Sequence, residues 1–436
     1  MNFRKFSFDF LDRLRGGKVK QYSEEVAHTN NWETNEQLGA DRVHLSILEH
    51  AKESTAFYKS FNSARLEDFP VIDKTIIREQ PKAFISKHFR QDELIRMVTS
   101  GSTGTPFITY HDKNKKLRNT ADTIYASGKA GYNLGERIYY LKIWSGLNKK
   151  NSFTQWKENI KPVDVLYFNQ KEIAQFLRDL EDYTEPQHLI GYASALEKLA
   201  KYLEDKNIVL KKGLIKSAIA MSEALSDFTK VTLQNRMNVK VCSRYSNIEN
   251  GIIAQQTPLS GMDFWINRAS YYVEILDIES DCSVPAGSLG RIVVTDLYNY
   301  GMPLIRYDTG DLGTFAVTEN GQINSRKLAR IEGRKMDILL NTSGEIVSSY
   351  IIYKNMWEYT EIEQYQLVQN DRKDYCMKIN TADGFNREDK LIAEFKSYLG
   401  EDAKFKIEYV KEIPLLDSGK RRKVVNNYIK SPKSVK

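Results

Sequence analysis

The sequence predicts an α/β protein with a large N-terminal domain of mixed and parallel sheets covered by helices, followed by a small α+β domain. Three observations carry this. Short β-rich runs alternate with helical stretches over most of the chain, the pattern of strands covered by helices on both faces. Beyond Arg334 the texture shortens into a compact α+β pattern. The 436 residues, 41% of them hydrophobic, exceed what a single core usually organises, so two or more domains are expected.

In chain order, residues 137–143 (RIYYLKI), 213–220 (GLIKSAIA) and 290–296 (GRIVVTD) read as strands. Residues 173–180, 194–203 and 223–237 place apolar side chains three and four apart and read as helices. Gly191-Tyr192-Ala193-Ser194 reads as a strand-to-helix turn with Ser194 as its cap. Past the texture change, 362–369, 375–379, 390–399 and 405–410 supply one compact unit of strands and a helix. The expected division is therefore 1–333 for the large domain, 334–337 for a hinge and 338–436 for the small domain, with 431–436 as a frayed tail.

Composition excludes several classes. The chain has no run of 18 apolar residues, so no membrane span is expected. The first 20 residues are basic and carry Phe3, Phe6, Phe8, Phe10, Leu11 and Leu14, but they lack the continuous apolar core and cleavage site of a secretory signal. Such a helix can touch an anionic membrane surface; packing against the body of the protein is the favoured expectation. Cys242, Cys282 and Cys376 lie far apart and form no CxxC pair, which points to a reducing cytoplasm and away from structural zinc. The net charge of +7 arises from 64 basic and 57 acidic residues dispersed along the chain, so it reads as attraction for anionic ligands and not as a nucleic-acid footprint. The six histidines show no HExxH or paired metal spacing, and no GxSxG elbow supports a hydrolase.

The segment Thr99-Ser100-Gly101-Ser102-Thr103-Gly104-Thr105-Pro106 follows the apolar-containing run 94–98. Glycines there let backbone N–H groups face one concave side, and hydroxyls add donors, so the segment can cradle a phosphate. It is not a common NTPase P-loop, because Thr105 stands where a lysine might close it. The same composition also suits an ordinary turn.

Further motifs follow it: Tyr245-Ser246-Asn247-Ile248-Glu249, Tyr307-Asp308-Thr309-Gly310-Asp311, Gly333-Arg334-Lys335-Met336-Asp337, and Pro414-Leu415-Leu416-Asp417-Ser418-Gly419-Lys420. In this order the chain resembles the adenylate-forming superfamily, most of all its phenylacetate-CoA ligase branch and the CapK-type capsular polysaccharide proteins within it. The lead-in 44–89, with Phe69-Pro70-Val71-Ile72-Asp73-Lys74, is similar to that branch as well.

The resemblance implies ATP-dependent activation of a carboxylic acid to an acyl-adenylate, with Mg²⁺, and a mobile C-terminal lid. It implies coenzyme A as the acyl acceptor, with an amine of a sugar or amino acid as the alternative and a degenerate adenylate-binding protein as a third reading. On this resemblance Thr99, Ser100, Gly101, Ser102, Thr103 and Gly104 hold the β- and γ-phosphates, while Tyr245 stacks on adenine. Glu249 holds Mg²⁺, a role that a carboxylate among substrate phosphates can fill. Asp311 receives the ribose hydroxyls. Arg334 reaches the ribose or α-phosphate, and Met336 and Asp337 form the pivot, with Met336 replacing an acidic residue common in relatives. Ser222 and Glu223 match the adenine-side segment only loosely. Lys420 is the lysine delivered by the lid, and an ammonium that arrives on closure favours the transition state. The basic residues Arg421, Arg422 and Lys423 could meet coenzyme A phosphates or face water. Tyr132 and Tyr192, with Tyr139 and Tyr140, are candidates for the acyl pocket and suit a flat or polar acid; aromatic core packing explains them equally.

Overall fold

The computed structural model describes residues 2–31, 45–61, 63, 65–99, 107–144, 150–334, 338–347, 351–354, 356–359, 361–381, 384–414 and 421–428. Helices α1 (Phe3–Leu14), α2 (Lys18–Asn30), α3 (Leu45–Ser54) and α4 (Lys74–Glu79) come first. Strands β1 (Ile95–Thr99) and β2 (Phe107–His111) then pair antiparallel with Thr99 opposite Phe107, and α5 (Lys113–Lys129) follows.

The alternation foreseen in the sequence begins at β3 (Arg137–Lys142) and continues through α6 (Ser152–Glu158), β4 (Ile160–Asp164), α7 (Gln170–Glu181) and β5 (Gln187–Tyr192). It ends with α8 (Ala193–Asp205), β6 (Ile215–Met221), α9 (Asp227–Met237) and β7 (Val241–Asn247). Antiparallel strands β8 (Gly251–Gln255), β9 (Phe264–Ile266), β10 (Tyr271–Leu276), β11 (Gly290–Asp296), β12 (Tyr307–Val317) and β13 (Ile323–Arg334) complete an 11-stranded sheet of order β10-β11-β12-β13-β9-β8-β7-β6-β5-β3-β4. The expected mixed α/β class is therefore what the chain forms.

Strands β4, β3, β5, β6 and β7 run parallel. Their helices bury stripes three and four residues apart: Ile173, Phe176, Leu177 and Leu180 on α7, and Leu196, Leu199 and Leu203 on α8, against Leu141, Leu189 and Ala218 of the sheet. Gly191 is required where β5 passes β3, because a Cβ there would stand 2.7 Å from that of Leu141.

Two helix starts differ from the sequence reading. Helix α9 begins at Asp227 and not at residue 223: residues 223–226 are not helical, and Ser226 is the cap, accepting from the Thr229 N–H at 3.2 Å. Helix α8 is not capped by Ser194. Its residue before the first turn is Tyr192, and the Ser194 N–H is taken instead by the Glu223 carboxylate at 3.0 Å.

The N-terminal helix only half fulfils its expected packing. Phe8 joins Val19, Val26 and Ala121 in a small cluster, while Phe3, Phe6, Phe10 and Leu14 point to solvent.

Beyond residue 338 the hairpin β14 (Leu339–Leu340) and β15 (Ile346–Val347) precedes α10 (Ile351–Lys354). Then β16 (Ile362–Asp371), β17 (Asp374–Thr381), α11 (Glu388–Leu399), β18 (Lys404–Tyr409) and β19 (Val424–Asn426) form a four-stranded sheet of order β18-β17-β16-β19 under one helix. It has a core of its own, in which Leu367, Met377, Ile379, Leu391, Phe395 and Leu399 meet. This unit touches α8 through Lys423, whose ammonium lies 3.3 Å from Glu197 Oε2 and 2.9 Å from the Tyr365 hydroxyl.

Candidate active site

Ligands of open α/β sheets gather at the carboxyl ends of parallel strands. At that end of β7 the chain turns sharply into β8 and presents Glu249. Gly251 makes the turn possible: its φ is 123°, and a Cβ would stand 2.8 Å from the Tyr271 hydroxyl. The Glu249 carboxylate is buried, receives the Tyr307 O–H at 3.1 Å and lies 2.7 Å from the Lys74 ammonium, both on Oε1. From below, the His111 Nε2–H donates to the Glu249 carbonyl at 2.6 Å. That bond fixes the tautomer, since a carbonyl only accepts, and burial lowers the His111 pKa to about 4.

Lys74 is placed by the segment before it. Asp73 caps α4 through the Thr75 and Ile76 N–H groups, and Ile72 bridges to Tyr307, with its N–H on the Arg306 carbonyl at 3.0 Å and its carbonyl accepting the Asp308 N–H at 2.7 Å. Arg306 adopts φ of 49°, a strained value held by its guanidinium bonds to Glu274 and to the carbonyls of Glu67 and Phe69. The Lys74 ammonium stands 5.4 Å over the Phe107 ring, with the Arg78 guanidinium over the same ring at 5.5 Å. Lys74 therefore lies between Glu249 and the root of the β1–β2 pair.

Opposite Glu249, the Tyr245 hydroxyl meets Asp311 Oδ2 at 2.9 Å and Thr309 Oγ1 at 3.1 Å. Burial raises the pKa of Asp311, against the opposing pull of the Tyr245 hydrogen bond, Arg334 and Lys74. Arg334 ends β13 directly across from Asp311 in the sheet register. Burial also drives the Tyr245 and Tyr307 hydroxyls well above their ordinary values, so both act as neutral donors.

The structure thus brings Tyr245, Glu249, Asp311 and Arg334 to one mouth, where Tyr245 reaches Asp311 by its hydroxyl. Thr99, at the end of β1, has its Oγ1 buried with no hydrogen-bond partner among the described residues, which suits a donor awaiting an anion. Tyr192, Ser222 and Glu223 stand at the carboxyl ends of β5 and β6, next to this mouth; Glu223 is occupied there by the first turn of α8. Tyr132 is a correction. It precedes β3 at the amino end of the parallel strands, where its ring packs edge-on to His188 at 5.0 Å and its hydroxyl accepts from the Gly135 N–H, so the length of the strands separates it from Tyr192. Ser100, Gly101, Ser102, Thr103, Gly104, Met336, Asp337 and Lys420 lie outside the described residues. Of the basic residues after Lys420, Lys423 pairs with Glu197 and Arg421 with Glu412 at 2.6 Å.

Sequence reasoning missed Lys74, Tyr307, Thr309 and His111. Lys74 follows an Asp that caps a helix, and its motif carries no role by itself. Tyr307 and Thr309 belong to the Tyr-Asp-Thr-Gly-Asp motif, in which only Asp311 was assigned. His111 offers no sequence signal, because its partner is a backbone carbonyl 138 residues away.

The chain has the fold of the adenylate-forming ligases. It superposes on a 2-hydroxyisobutyryl-CoA ligase in the postadenylation state with TM-score 0.66 at 17% identity over 88% of each chain. On the amide bond synthetase McbA from Marinactinospora thermotolerans the TM-score is 0.55 at 19% identity, over 76% of this chain and 68% of that one. Within that class its resemblance is to the CapK type. Residues 339–427 match the family model of the CapK C-terminal domain. The whole sequence is similar to Protein CapK of Staphylococcus aureus, at 26% identity over 94% of this chain and 93% of that protein. A phenylacetate-coenzyme A ligase of Pseudomonas putida is 22% identical over 63% of this chain and 62% of the ligase. Among the described residues no helix is long and apolar enough to cross a membrane.

Proposed function

We propose that this chain is an adenylate-forming ligase that activates a small carboxylic acid with ATP and then passes the acyl group to an acceptor. In the first step a carboxylate oxygen of the acid attacks the α-phosphorus, the bond from that phosphorus to the bridging oxygen breaks, and pyrophosphate leaves. Two anions must meet, so the barrier is electrostatic. The observation that carries the reading is the pair of neighbouring carboxylate clusters, the buried Glu249 with Lys74 and Tyr307, and the half-buried Asp311 with Tyr245 and Arg334.

In this reading Asp311, kept in place by Tyr245, accepts the ribose hydroxyls, Arg334 beside it meets the ribose or α-phosphate, and Thr99 to Gly104 hold the phosphate tail. Lys74 supplies the cationic grip that Thr105 does not, from the root of the same segment. No group of three or more His, Cys, Asp or Glu side chains able to hold a metal occurs among the described residues. Glu249 alone fits a cation only together with substrate phosphates, which is the way magnesium is commonly held. Bound there, Mg²⁺ supplies neutralising charge to the phosphates. Lys420 is assigned to the transition-state charge, arriving as the C-terminal unit (338–436) rotates about 334–337.

Acyl transfer follows by attack of a thiol or amine on the mixed anhydride, which expels AMP. Coenzyme A is the first assignment for the acceptor, supported by the ligases it resembles in fold and sequence. An amine of a sugar or amino acid is the second, supported by the likeness to an amide bond synthetase and to CapK. A cytoplasmic setting is supported by Cys242, Cys282 and Cys376, which form no disulfide.

The test is acid-dependent exchange of labelled pyrophosphate into ATP over a panel of carboxylic acids, with Lys420→Ala alongside. Exchange with one acid that collapses in the variant supports adenylation, and adding coenzyme A or amino sugars then separates the acceptors by product. ATP binding without exchange for any acid in the panel would favour the degenerate binding protein instead.

A further inference from the structure

Far from the site, at the amino ends of β3 and β4, the chain carries a surface that the proposed reaction does not use. Helix α1 places Phe3, Phe6, Phe10 and Leu14 at spacings of three and four, hence on one face, and the rings of Phe6 and Phe10 stack at 6.5 Å. Helix α6 adds Phe153 and Trp156, whose rings are 6.0 Å apart. These six side chains are between 53% and 70% exposed. At about 100 Å² each they make roughly 600 Å² of apolar surface, the upper end of what a monomer leaves uncovered.

Arg4 joins the two helices. Its Nε–H donates to the Trp156 carbonyl at 3.1 Å, and its guanidinium lies 5.8 Å from the centre of the Trp156 ring. Beside it opens a cleft of about 260 Å³ lined by Arg4, Arg137, Lys161, Gln155, Trp156 and Asn159 among others. Three of the lining residues are cations and none is a carboxylate. Arg13 is exposed on the flank of the apolar stripe, Lys5 on the side of α1 away from it, and Arg15 just past the helix end. The acidic groups nearby are Asp9 and Asp12, on the same helix, and Glu158; Asp12 accepts the Val19 and Lys20 N–H groups at the start of α2, and Glu158 pairs with Lys150.

We propose that the α1–α6 face docks on an anionic lipid bilayer, with the apolar stripe entering the headgroup region and the cleft of Arg4, Arg137 and Lys161 taking a lipid phosphate. Charge complementarity selects this occupant: an apolar partner alone would leave three cations in a cleft without a counter-charge, whereas an anionic interface offers apolar depth and phosphate side by side. The geometry suits peripheral contact. Helix α1 is 12 residues long and amphipathic, too short to span a bilayer and well formed to lie in its surface.

The experiment is flotation of the full chain with vesicles of phosphatidylglycerol and phosphatidylcholine, against vesicles of phosphatidylcholine alone. The bound-to-free ratio is expected to be about tenfold higher on the anionic vesicles and to fall with added salt. Phe6→Ser with Phe10→Ser, and separately Lys161→Glu, should each lower it about tenfold. These side chains are exposed, so circular dichroism and the melting transition should stay as in the wild type. Absence of vesicle binding, or binding indifferent to lipid charge or to either variant, overturns the proposal. So does a dimer in sedimentation velocity that the Phe variants dissociate, since the face then joins two copies. Inorganic phosphate that raises the melting temperature through Lys161, without vesicle binding, would assign the cleft to a free anion and also overturn it.

Discussion

The Lys74 ammonium stands 2.7 Å from Glu249 Oε1, bringing a residue of the first hundred against the turn that follows β7. Its side chain is part exposed and its partner buried, so the cation can leave for a phosphate while Glu249 keeps the Tyr307 hydrogen bond. Lys74→Ala is therefore expected to lower pyrophosphate exchange about hundredfold, with Lys74→Arg recovering part of it. Wild-type exchange and KM for ATP in the alanine variant would remove Lys74 from the site.

The hydroxyl of Tyr245 favours the ionised form of Asp311, whose pKa burial raises. Tyr245→Phe removes that donor and leaves burial less opposed. The acid limb of kcat/KM for ATP should then move to higher pH. A profile unmoved by the substitution would mean that Asp311 does not govern nucleotide binding.

His111 is neutral in the folded chain, with a pKa near 4 against an ordinary 6.5. Between these values the unfolded chain binds the extra proton, so this contribution is complete above pH 6.5, falls as pH drops towards 4, and is constant below that. The interval corresponds to about 3 kcal/mol. Denaturant titrations from pH 7 to 4 should show the loss, and His111→Gln should flatten the slope.

Glu223 closes the first turn of α8 by accepting the Ser194 N–H at 3.0 Å. Glu223→Ala is expected to cost about 1 kcal/mol in unfolding free energy. If the side chain instead serves the nucleotide, the same variant will raise KM for ATP and leave stability unchanged, which calorimetry and a kinetic titration distinguish.

Much of the fold was readable because its signals are local. The apolar spacing of α7 and α8 marked both helices within a few residues, and the run 290–296 coincides with β11. The start of α9 escaped because Ser226 is its cap, while Ser222, four residues earlier, offers the same side chain. Half of the site was readable by motif: Tyr245, Glu249, Asp311 and Arg334 converge. Tyr132 and Tyr192 looked alike in sequence, yet a parallel strand has two ends, and only the order of strand and loop in space puts one tyrosine at the mouth and the other at its back.

The sequence by itself determined the class of fold, the order of its elements and the motif residues, since periodicity and turn chemistry act between near neighbours. Tertiary structure alone decided what those residues touch. It brought Lys74 to Glu249, set His111 under the Glu249 carbonyl and turned the aromatic face of α1 outward beside Trp156. Each of these contacts joins segments more than a hundred residues apart, where pairing is fixed by sheet register and core packing, and not by spacing along the chain.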